Sequence, residues 1–319
     1  MNEILQEIGL IGIVPVVIIE NSDDAEPLAR ALLEGGLPCA EVTFRTQTAR
    51  QSLEIIAKTF PNLILGAGTI LNIEQVKSAV DAGAKFIVSP GINPKVVEYC
   101  LANSIPITPG VVTPSDVEVA IGFGLDVVKF FPAEASGGVE FLKAMSAPYK
   151  DVKYIPTGGI NEKNLLSYLK TNQVLACGGS WMVKSDLINQ KKFDEIRKLT
   201  LAAVNITIGF DLRHIGINST GIAEAQNIAL QLQNVFGFHM QDGDGSIFIG
   251  TQFEIMKRAY LGTHGHIAIS TNSIERAVAH LSRKGINIKP ETRNEKNGKL
   301  LTVYLDVEFG GYAVHLVQI

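Results

Sequence analysis

Residues 126–138 read "DVVKFFPAEASGG", a short apolar run that ends at a proline. The segment that follows, "VEFLKAMSAP", has the spacing of an amphipathic helix. A near-continuous apolar run of this length indicates a strand buried on both faces. The run nevertheless contains Lys129, and a strand of this kind rarely buries a charged side chain without a partner. The fold around this strand must therefore provide partners for the lysine.

The same unit, a short apolar strand followed by an amphipathic segment, recurs up to about residue 183. Good helix caps precede several of the segments, including Asn72, Asn93 and Thr113. Such alternation predicts an α/β fold, with a parallel sheet covered on both faces. The eight strands and their even spacing favour a closed (β/α)8 TIM barrel over an open doubly wound sheet, and no GxGxxG follows the first strand. The predicted strands read "IVPVVII", "CAEVTF", "LILGAGT", "FIVSPG", "PITPGV", "VVKFFP", "YIPTGGI" and "VLACGGSWM".

Composition and charge restrict the class of protein. The apolar run "IGLIGIVPVVII", residues 8–19, is much shorter than the ~20 residues of a membrane-spanning helix. No basic segment precedes this run, so we interpret it as a buried first strand rather than a signal peptide. The three cysteines are far apart and odd in number, which favours buried thiols in a reducing cytoplasm. A net charge of -4 gives no electrostatic reason to expect nucleic acid or a membrane as a partner.

The sequence pattern changes after the helix-like segment "QKKFDEIRKLTLAAV". From there a strand, a helix and three strands are predicted, and the same βαβββ order then repeats after about fifty residues. We therefore predict two domains, an α/β barrel over residues 1–204 and an α+β domain of two βαβββ modules over residues 205–319.

Chemically reactive side chains cluster at the predicted strand ends. Catalytic groups of a barrel come from the carboxyl ends of several strands, and residues two apart lie on one face of a strand. Glu41 and Arg45 share a face of the second strand, and Lys129 and Phe131 share a face of the sixth. Thr69 ends the third strand and Thr157 the seventh. If these faces point into the barrel, the six side chains meet at its mouth, the opening formed by the carboxyl ends of the strands.

This set of residues fits Schiff-base chemistry. An apolar wall favours the neutral amine of Lys129, which attacks a ketone to form an imine. Glu41 can accept and donate protons, and the planar guanidinium group of Arg45 can bind a carboxylate through two parallel N–H donors. The alternatives are that Lys129 is a solvated edge lysine, that Glu41 and Arg45 form a structural pair, and that the threonines only suit a strand.

Glycine pairs end the last two strands, in "PTGGI" and "CGGSW". Backbone N–H groups of such turns can hold a phosphate, and barrel phosphate sites often follow strands seven and eight. Gly158, Gly159, Gly179 and Ser180 occupy those positions, although a glycine pair can also serve a tight turn alone.

Seven blocks, in order, resemble the 2-keto-3-deoxy-6-phosphogluconate / 4-hydroxy-2-oxoglutarate aldolase family over roughly residues 1–200. The resemblance implies a class I lyase of sugar-acid (Entner–Doudoroff) metabolism that needs no cofactor and releases pyruvate from a 2-keto acid. It implies that Lys129 forms the Schiff base and that Glu41 is the general acid/base. It also implies a homo-oligomer, commonly a trimer. The blocks are "EVTFRT", "GAGTILN", "SPG", "TPGVVTPSD", "VVKFFPAEASGG", "PTGGI" and "GSWMV".

The same resemblance gives roles to the other residues of the mouth. Arg45 and Thr69 would bind the carboxylate end of the substrate. Pro90, Phe131 and Thr157 would line the site. Gly158, Gly159 and Ser180 would hold the phosphate, beside Gly179.

Potential metal ligands lie at matching points of the two C-terminal modules. His214 and His266 lie in the first strands of the modules, and Glu254 and His315 lie in the last strands. Such a set suits a divalent transition metal, Zn, Ni, Mn or Fe. The segments "GHIAIS", "SIERAVAHLSRKG" and "GGYAVHLVQ" resemble the vicinal oxygen chelate superfamily, which includes glyoxalase I and bleomycin-resistance proteins. Two alternatives stay open: the domain isomerises or lyses a related sugar acid, or it is a binding module without chemistry.

Overall fold

The computed structural model describes all residues from 1 to 319. The chain divides into two compact units, Met1–Thr207 and Ile208–Ile319. None of the helices has the length and apolar character that crossing a membrane requires.

A ring of parallel strands forms the centre of the first unit. One sheet has the order β5-β4-β3-β2-β1-β9, and a second has the order β6-β7-β8. The strands are β1 Ile13–Val17, β2 Cys39–Thr43, β3 Ile64–Gly68, β4 Phe86–Val88, β5 Ile107–Thr108, β6 Gly110–Val111, β7 Val127–Phe130, β8 Lys153–Pro156 and β9 Cys177–Gly179.

The two sheets join into an eight-stranded barrel. β5 and β6 are the two halves of one predicted strand, which is interrupted only at Pro109. On the other side, the bridges Tyr154–Val174 and Thr157–Gly178 link β8 to the segment that contains β9. The prediction of an α/β barrel is therefore confirmed.

Helices follow the strands of the barrel. Asn72, Asn93 and Thr113 cap α4, α5 and α6 by accepting a hydrogen bond from a first-turn backbone N–H, which explains where these helices begin. The helices are α1 Glu3–Ile11, α2 Ala25–Glu34, α3 Ala49–Thr59, α4 Ile73–Asp81, α5 Pro94–Ala102, α6 Pro114–Gly122, α7 Gly138–Ser146, α8 Leu165–Leu169, α9 Ser185–Asn189 and α10 Phe193–Ile208, with short 3-10 helices at Ser22–Asp24 and Trp181–Val183.

The start of the chain differs from the prediction. Residues 8–11 are not part of the first strand but form the last turn of α1, whose residues Leu5, Ile8 and Ile11 are buried. Asn2 caps this helix, and Gly12 ends it with a φ of 85°. Because glycine adopts this left-handed conformation without a steric penalty, the chain turns there from helix into β1.

The second unit contains one eight-stranded sheet and two helices. Its elements are β10 Asp211–Asn218, α11 Ile222–Phe236, β11 Met240–Asp242, β12 Ser246–Ile249, β13 Phe253–Met256, β14 Gly265–Thr271, α12 Ile274–Arg283, β15 Asn294–Lys296, β16 Lys299–Phe309 and β17 Tyr312–Gln318, with a 3-10 helix at Pro290–Thr292. Each half thus has the order strand, helix and three strands.

The sheet order of the second unit, β11-β12-β13-β10-β14-β17-β16-β15, is symmetric about its centre. The first strands of the halves, β10 and β14, are antiparallel neighbours, and each pairs in parallel with the last strand of its own half. A core that includes Ala225, Ala229, Ile247 and Ile255 packs α11 against its half of the sheet. The two halves therefore meet along their first strands within one chain.

Candidate functional site

Lys129 and Glu41 form a buried pair inside the barrel. The Nζ atom of Lys129 on β7 lies 3.4 Å from the Oε1 atom of Glu41 on β2, and their side chains are 8 % and 5 % exposed. The same Nζ atom lies 5.2 Å from the centre of the Phe131 ring. The strand-face prediction therefore placed an amine, a carboxylate and an aromatic wall together, as the structure does.

Gly68, the last residue of β3, makes room for the Glu41 carboxylate. A Cβ atom at this glycine would lie 2.0 Å from the Oε1 atom of Glu41, which is far inside van der Waals contact. The strands carrying these residues are adjacent, since Thr43 of β2 pairs with Gly68. The Glu41 carboxylate can thus occupy this position because the neighbouring strand has a glycine there.

Arg45 and Thr69 meet at the ends of the same two strands. The Nε atom of Arg45 donates a hydrogen bond to the Oγ1 atom of Thr69 at 3.1 Å. Thr69 has a φ of 59°, which is uncommon for a residue other than glycine and costs on the order of 1–3 kcal/mol. Such backbone strain is typical of functional sites, and here it accompanies the contact with the guanidinium group.

A cavity of about 180 Å³ opens at the strand ends. Seven of the predicted site residues line it: Arg45, Phe131, Thr157, Gly158, Gly159, Gly179 and Ser180. Gly158 and Gly159 have φ values of 98° and 82°, so the loop after β8 has a conformation that favours glycine.

Pro90 has a supporting position. It follows the end of β4, and its carbonyl oxygen would lie 2.0 Å from a Cβ atom at Gly110. Because Gly110 pairs with Lys129, Pro90 packs against the strand that neighbours the lysine strand.

The sequence prediction missed several wall residues of the cavity. Thr43 shares the face of Glu41 on β2, and its hydroxyl donates to the backbone carbonyl of Val17 at 3.0 Å. Gly178 leaves space for Thr157, whose Oγ1 atom would lie 2.3 Å from a Cβ atom at this position. Strand alternation indicates Thr43, whereas no local signal marks the apolar positions. The missed residues are Val16, Ile18, Thr43, Ile160 and Gly178.

Comparison with known proteins assigns the first unit. The model of the family "KDPG and KHG aldolase" matches residues 3–199. The chain belongs to this family. It is accordingly a lyase of the aldolase type, and the family match ends near the boundary between the two units.

Curated aldolases resemble the chain over nearly their whole length. A 2-dehydro-3-deoxy-phosphogluconate aldolase of Treponema pallidum is 45 % identical over 206 residues, which are 65 % of this chain and 98 % of the relative. The enzyme of the same name from Haemophilus influenzae is 43 % identical, over 64 % of this chain and 97 % of the relative. These relatives therefore leave little room for a counterpart of the second unit.

Solved structures support the same fold for the barrel. The KDPG aldolase of Legionella pneumophila, with pyruvate captured as a covalent carbinolamine intermediate, is 39 % identical with a TM-score of 0.61, over 62 % of this chain and 97 % of that one. The 2-keto-3-deoxy-6-phosphogluconate aldolase of Zymomonas mobilis is 37 % identical with a TM-score of 0.60, over 65 % and 97 % of the two chains.

The second unit of this aldolase-family chain brings its four predicted ligands together. The Nε2 atoms of His214 and His266 lie 3.1 Å apart, and they lie 3.1 Å and 3.2 Å from the Oε2 atom of Glu254. The ligand atoms of the three histidines, including His315, lie within 4.8 Å of one another. Neither ring nitrogen of the buried His315 has a hydrogen-bond partner.

Sheet register explains why the four residues converge. In the first half, Glu254 pairs with Gly216, which is two residues after His214. In the second half, His315 pairs with Ala268, which is two residues after His266. Gly216 is itself opposite His266, and a Cβ atom there would lie 2.1–2.4 Å from the imidazole ring.

Burial and neighbouring groups shift the proton affinities of this cluster. Burial alone would raise the pKa of Glu254, but hydrogen bonds with His214, His266 and Ser246 lower it far below its usual value. Burial lowers the pKa of His315 to about 3, with a further contribution from the other two histidines. Tyr304 stacks on His315 with ring centres 4.8 Å apart. Glu254 is thus a carboxylate and His315 a neutral imidazole, which are the forms that bind metal ions.

Proposed function

We propose that the barrel is a class I aldolase that cleaves 2-keto-3-deoxy-6-phosphogluconate to pyruvate and glyceraldehyde 3-phosphate. The buried pair of Lys129 and Glu41, 3.4 Å apart inside the barrel, carries this proposal. The carbinolamine captured in the Legionella relative supports a covalent route through an amine. A second substrate follows from the same chemistry, since 4-hydroxy-2-oxoglutarate would give pyruvate and glyoxylate.

The reaction begins with attack of the neutral Lys129 amine on the C2 ketone of the substrate. Loss of water from the carbinolamine gives a protonated imine. Glu41 then removes the proton of the C4 hydroxyl, the C3–C4 bond breaks, and the aldehyde leaves. The electron pair of that bond moves into the imine and forms an enamine. Protonation of C3 and addition of water release pyruvate and restore the amine.

The two ends of the substrate require different contacts. Arg45, held by Thr69 at 3.1 Å, presents a donor fork to the C1 carboxylate. Phe131 and Thr157 line the path between the ends. At the far end, the Gly158–Gly159 loop, Gly179 and Ser180 line the cavity and would hold a phosphate.

A pyruvate-release assay with phosphorylated and unphosphorylated 2-keto-3-deoxy acids tests this proposal. The phosphorylated acid is expected to give the highest kcat/KM. The Glu41→Gln variant should lose at least about 100-fold in kcat, because general acid–base catalysis contributes factors of this size. Glu140→Gln, on the exposed face of α7, is the control. Absence of pyruvate release with every 2-keto-3-deoxy acid would refute the proposal.

We also propose that the protein is a homotrimer, from its resemblance to the aldolase family. Light scattering of the intact protein should then give a mass close to three times the 34.4 kDa of the chain. A monomer at micromolar concentration would contradict this proposal.

For residues 205–319 we propose a metal-binding domain of the vicinal oxygen chelate type. At metal–ligand distances of about 2.1 Å, two ligands at right angles lie about 3 Å apart. The 3.1–3.2 Å separations among His214, Glu254 and His266 fit such a set, and the unpartnered nitrogens of His315 supply a fourth donor. A bound Zn, Ni, Mn or Fe ion would supply Lewis-acid chemistry there.

The protein residues define what this site can do. The cluster offers one negative ligand, so a divalent ion bound there keeps a positive charge that attracts an oxyanion, such as that of a sugar acid. Metal analysis of the purified protein should find about one transition metal ion per chain. The His266→Ala variant should lose this ion and keep pyruvate release. A metal content unchanged by this substitution would contradict the assignment.

A further inference from the structure

Glu134 is a carboxylate next to the Gly158–Gly159 loop that the mechanism above does not use. It lies five residues after Lys129, in the turn that follows β7. Its backbone N–H donates to the carbonyl of Gly158 at 3.1 Å, and the N–H of Ala133 donates to the carbonyl of Thr157 at 2.8 Å. These bonds join the turn after the lysine strand to the loop after β8.

The side chain of Glu134 adds a third connection. The hydroxyl of Tyr168 on α8 donates a hydrogen bond to its carboxylate. Tyr168 is 0 % exposed, so this bond anchors Glu134 to a fixed point in the core. Burial raises the pKa of Tyr168, and the carboxylate raises it further, so the hydroxyl remains a donor at neutral pH.

The Gly158–Gly159 loop is held between two sets of contacts. On one side, a Cβ atom at Gly159 would lie 2.6 Å from the Cβ and Cγ atoms of Glu134, so the glutamate packs directly on the loop backbone. The side-chain amides of Asn161 and Asn164 each donate to the carbonyl of Gly159 at 3.1 Å. Of the three residues whose side chains contact Gly159 here, Glu134, Asn161 and Asn164, Glu134 is the one that belongs to the segment after Lys129.

We propose that Glu134 and Tyr168 are positioning residues that set the distance between the phosphate loop and Lys129. This inference rests on the proposed aldolase function. A phosphorylated substrate is held at both ends, so a shift of the loop weakens its binding. A shorter substrate without a phosphate does not use the loop. The pair therefore determines the preference for a phosphate at the far end of the substrate.

Steady-state kinetics with two substrates test this role. In Glu134→Ala and Tyr168→Phe, the KM for 2-keto-3-deoxy-6-phosphogluconate is expected to rise about tenfold with little change in kcat, as for the loss of one buried hydrogen bond. The kcat/KM for 4-hydroxy-2-oxoglutarate should stay within about twofold of wild type. Glu134→Gln should restore the KM, because its amide oxygen still accepts from Tyr168.

A second, more exposed tyrosine–glutamate pair provides the control. The hydroxyl of Tyr149 donates to the Oε1 atom of Glu118 at 3.0 Å, before the start of β8 and away from the loop that follows that strand. Tyr149→Phe removes the same kind of bond and should leave the KM for both substrates unchanged.

The outcomes separate this inference from the proposed function. Equal losses with both substrates in Tyr168→Phe, or no change with either, would overturn the positioning role. If the wild-type protein cleaves neither substrate, the aldolase proposal itself fails. If Glu134→Ala raises the KM and Glu134→Gln does not restore it, the hydrogen bond with Tyr168 is not the cause and the inference is wrong.

Discussion

At the scale of single residues, the barrel site depends on glycines as much as on its reactive side chains, because each glycine leaves space for a side chain of the neighbouring strand. Glu41 reaches Lys129 because Gly68 leaves its space free, and Thr157 reaches the cavity because Gly178 does the same. The spacing of Glu41, Arg45, Lys129 and Phe131 was predictable, since alternation along a strand fixes which side chains share a face. Which residue of the neighbouring strand lies beside each of these side chains was not predictable, because this depends on the register of strand pairing.

Gly68→Ala tests this dependence. The new methyl group would overlap the Glu41 carboxylate at 2.0 Å, so the carboxylate must move away from Lys129. We expect kcat to fall by about 100-fold, comparable to the loss of general acid–base catalysis. Pyruvate release measures the effect. Gly122→Ala, where no atom lies within 4 Å of the added Cβ, is the control. Equal activity of the two variants would show that the position of Glu41 does not matter.

At the scale of elements, the central pairing of β10 with β14 builds the histidine cluster. The repeated order of the two modules predicted that equivalent strands carry the four candidate metal ligands. The sequence did not reveal that Gly216 lies opposite His266, because the pairing of strands distant in the chain is set by the whole sheet. Pro109 interrupts a strand predicted as continuous, because proline has no N–H to donate to a neighbouring strand.

Gly216→Ala is expected to displace the His266 ring, because the added Cβ atom would lie 2.1–2.4 Å from the ring atoms. Metal content should then fall severalfold, as for loss of a ligand-supporting contact. Gly245→Ala, in the turn between β11 and β12 of the same half and with open space around it, should keep the metal. Elemental analysis of both purified variants measures the difference. Full metal content in Gly216→Ala would argue against His266 as a ligand.

His280 on α12 should make the second unit sensitive to acid. Burial lowers its pKa from 6.5 to about 4, with smaller contributions from Lys284 and Arg283. Below pH 6.5 the unfolded chain therefore binds a proton that the folded chain does not bind until about pH 4. The stability of this unit should decrease as the pH falls through this window, by on the order of 3 kcal/mol from His280.

Hydrogen exchange in residues 208–319, measured between pH 7 and pH 4 after correction for the intrinsic exchange rate, checks this expectation. The His280→Leu variant removes the titrating group and should show a smaller loss of protection on acidification. An identical pH dependence in this variant and wild type would mean that His280 does not contribute.

At the scale of the whole molecule, the chain combines an aldolase-family barrel with a second unit that the family model does not cover. The sequence predicted the barrel because each strand–helix unit has its own local pattern. It wrongly included residues 8–11 in the first strand, since they are as apolar as the strand that follows. The helical turn there is specified by the Asn2 cap and by Gly12.

Removal of metal should separate the two sites. The proposed barrel reaction uses an amine, a carboxylate and an arginine, so a chelator is expected to leave pyruvate release unchanged while it removes the proposed metal ion from the histidine cluster. Parallel assays and elemental analysis on the same dialysed sample would show this. Loss of pyruvate release with the metal, and recovery when the metal is added back, would contradict a metal-independent aldolase.

The central claim is that Lys129 forms a covalent intermediate with a 2-keto acid. Treatment of the intact protein with pyruvate and borohydride, followed by mass spectrometry of its peptides, tests this claim most directly. We predict one reduced pyruvate adduct on the peptide that contains Lys129, and none in Lys129→Ala. No adduct, or an adduct on another lysine that persists in Lys129→Ala, would contradict the mechanism.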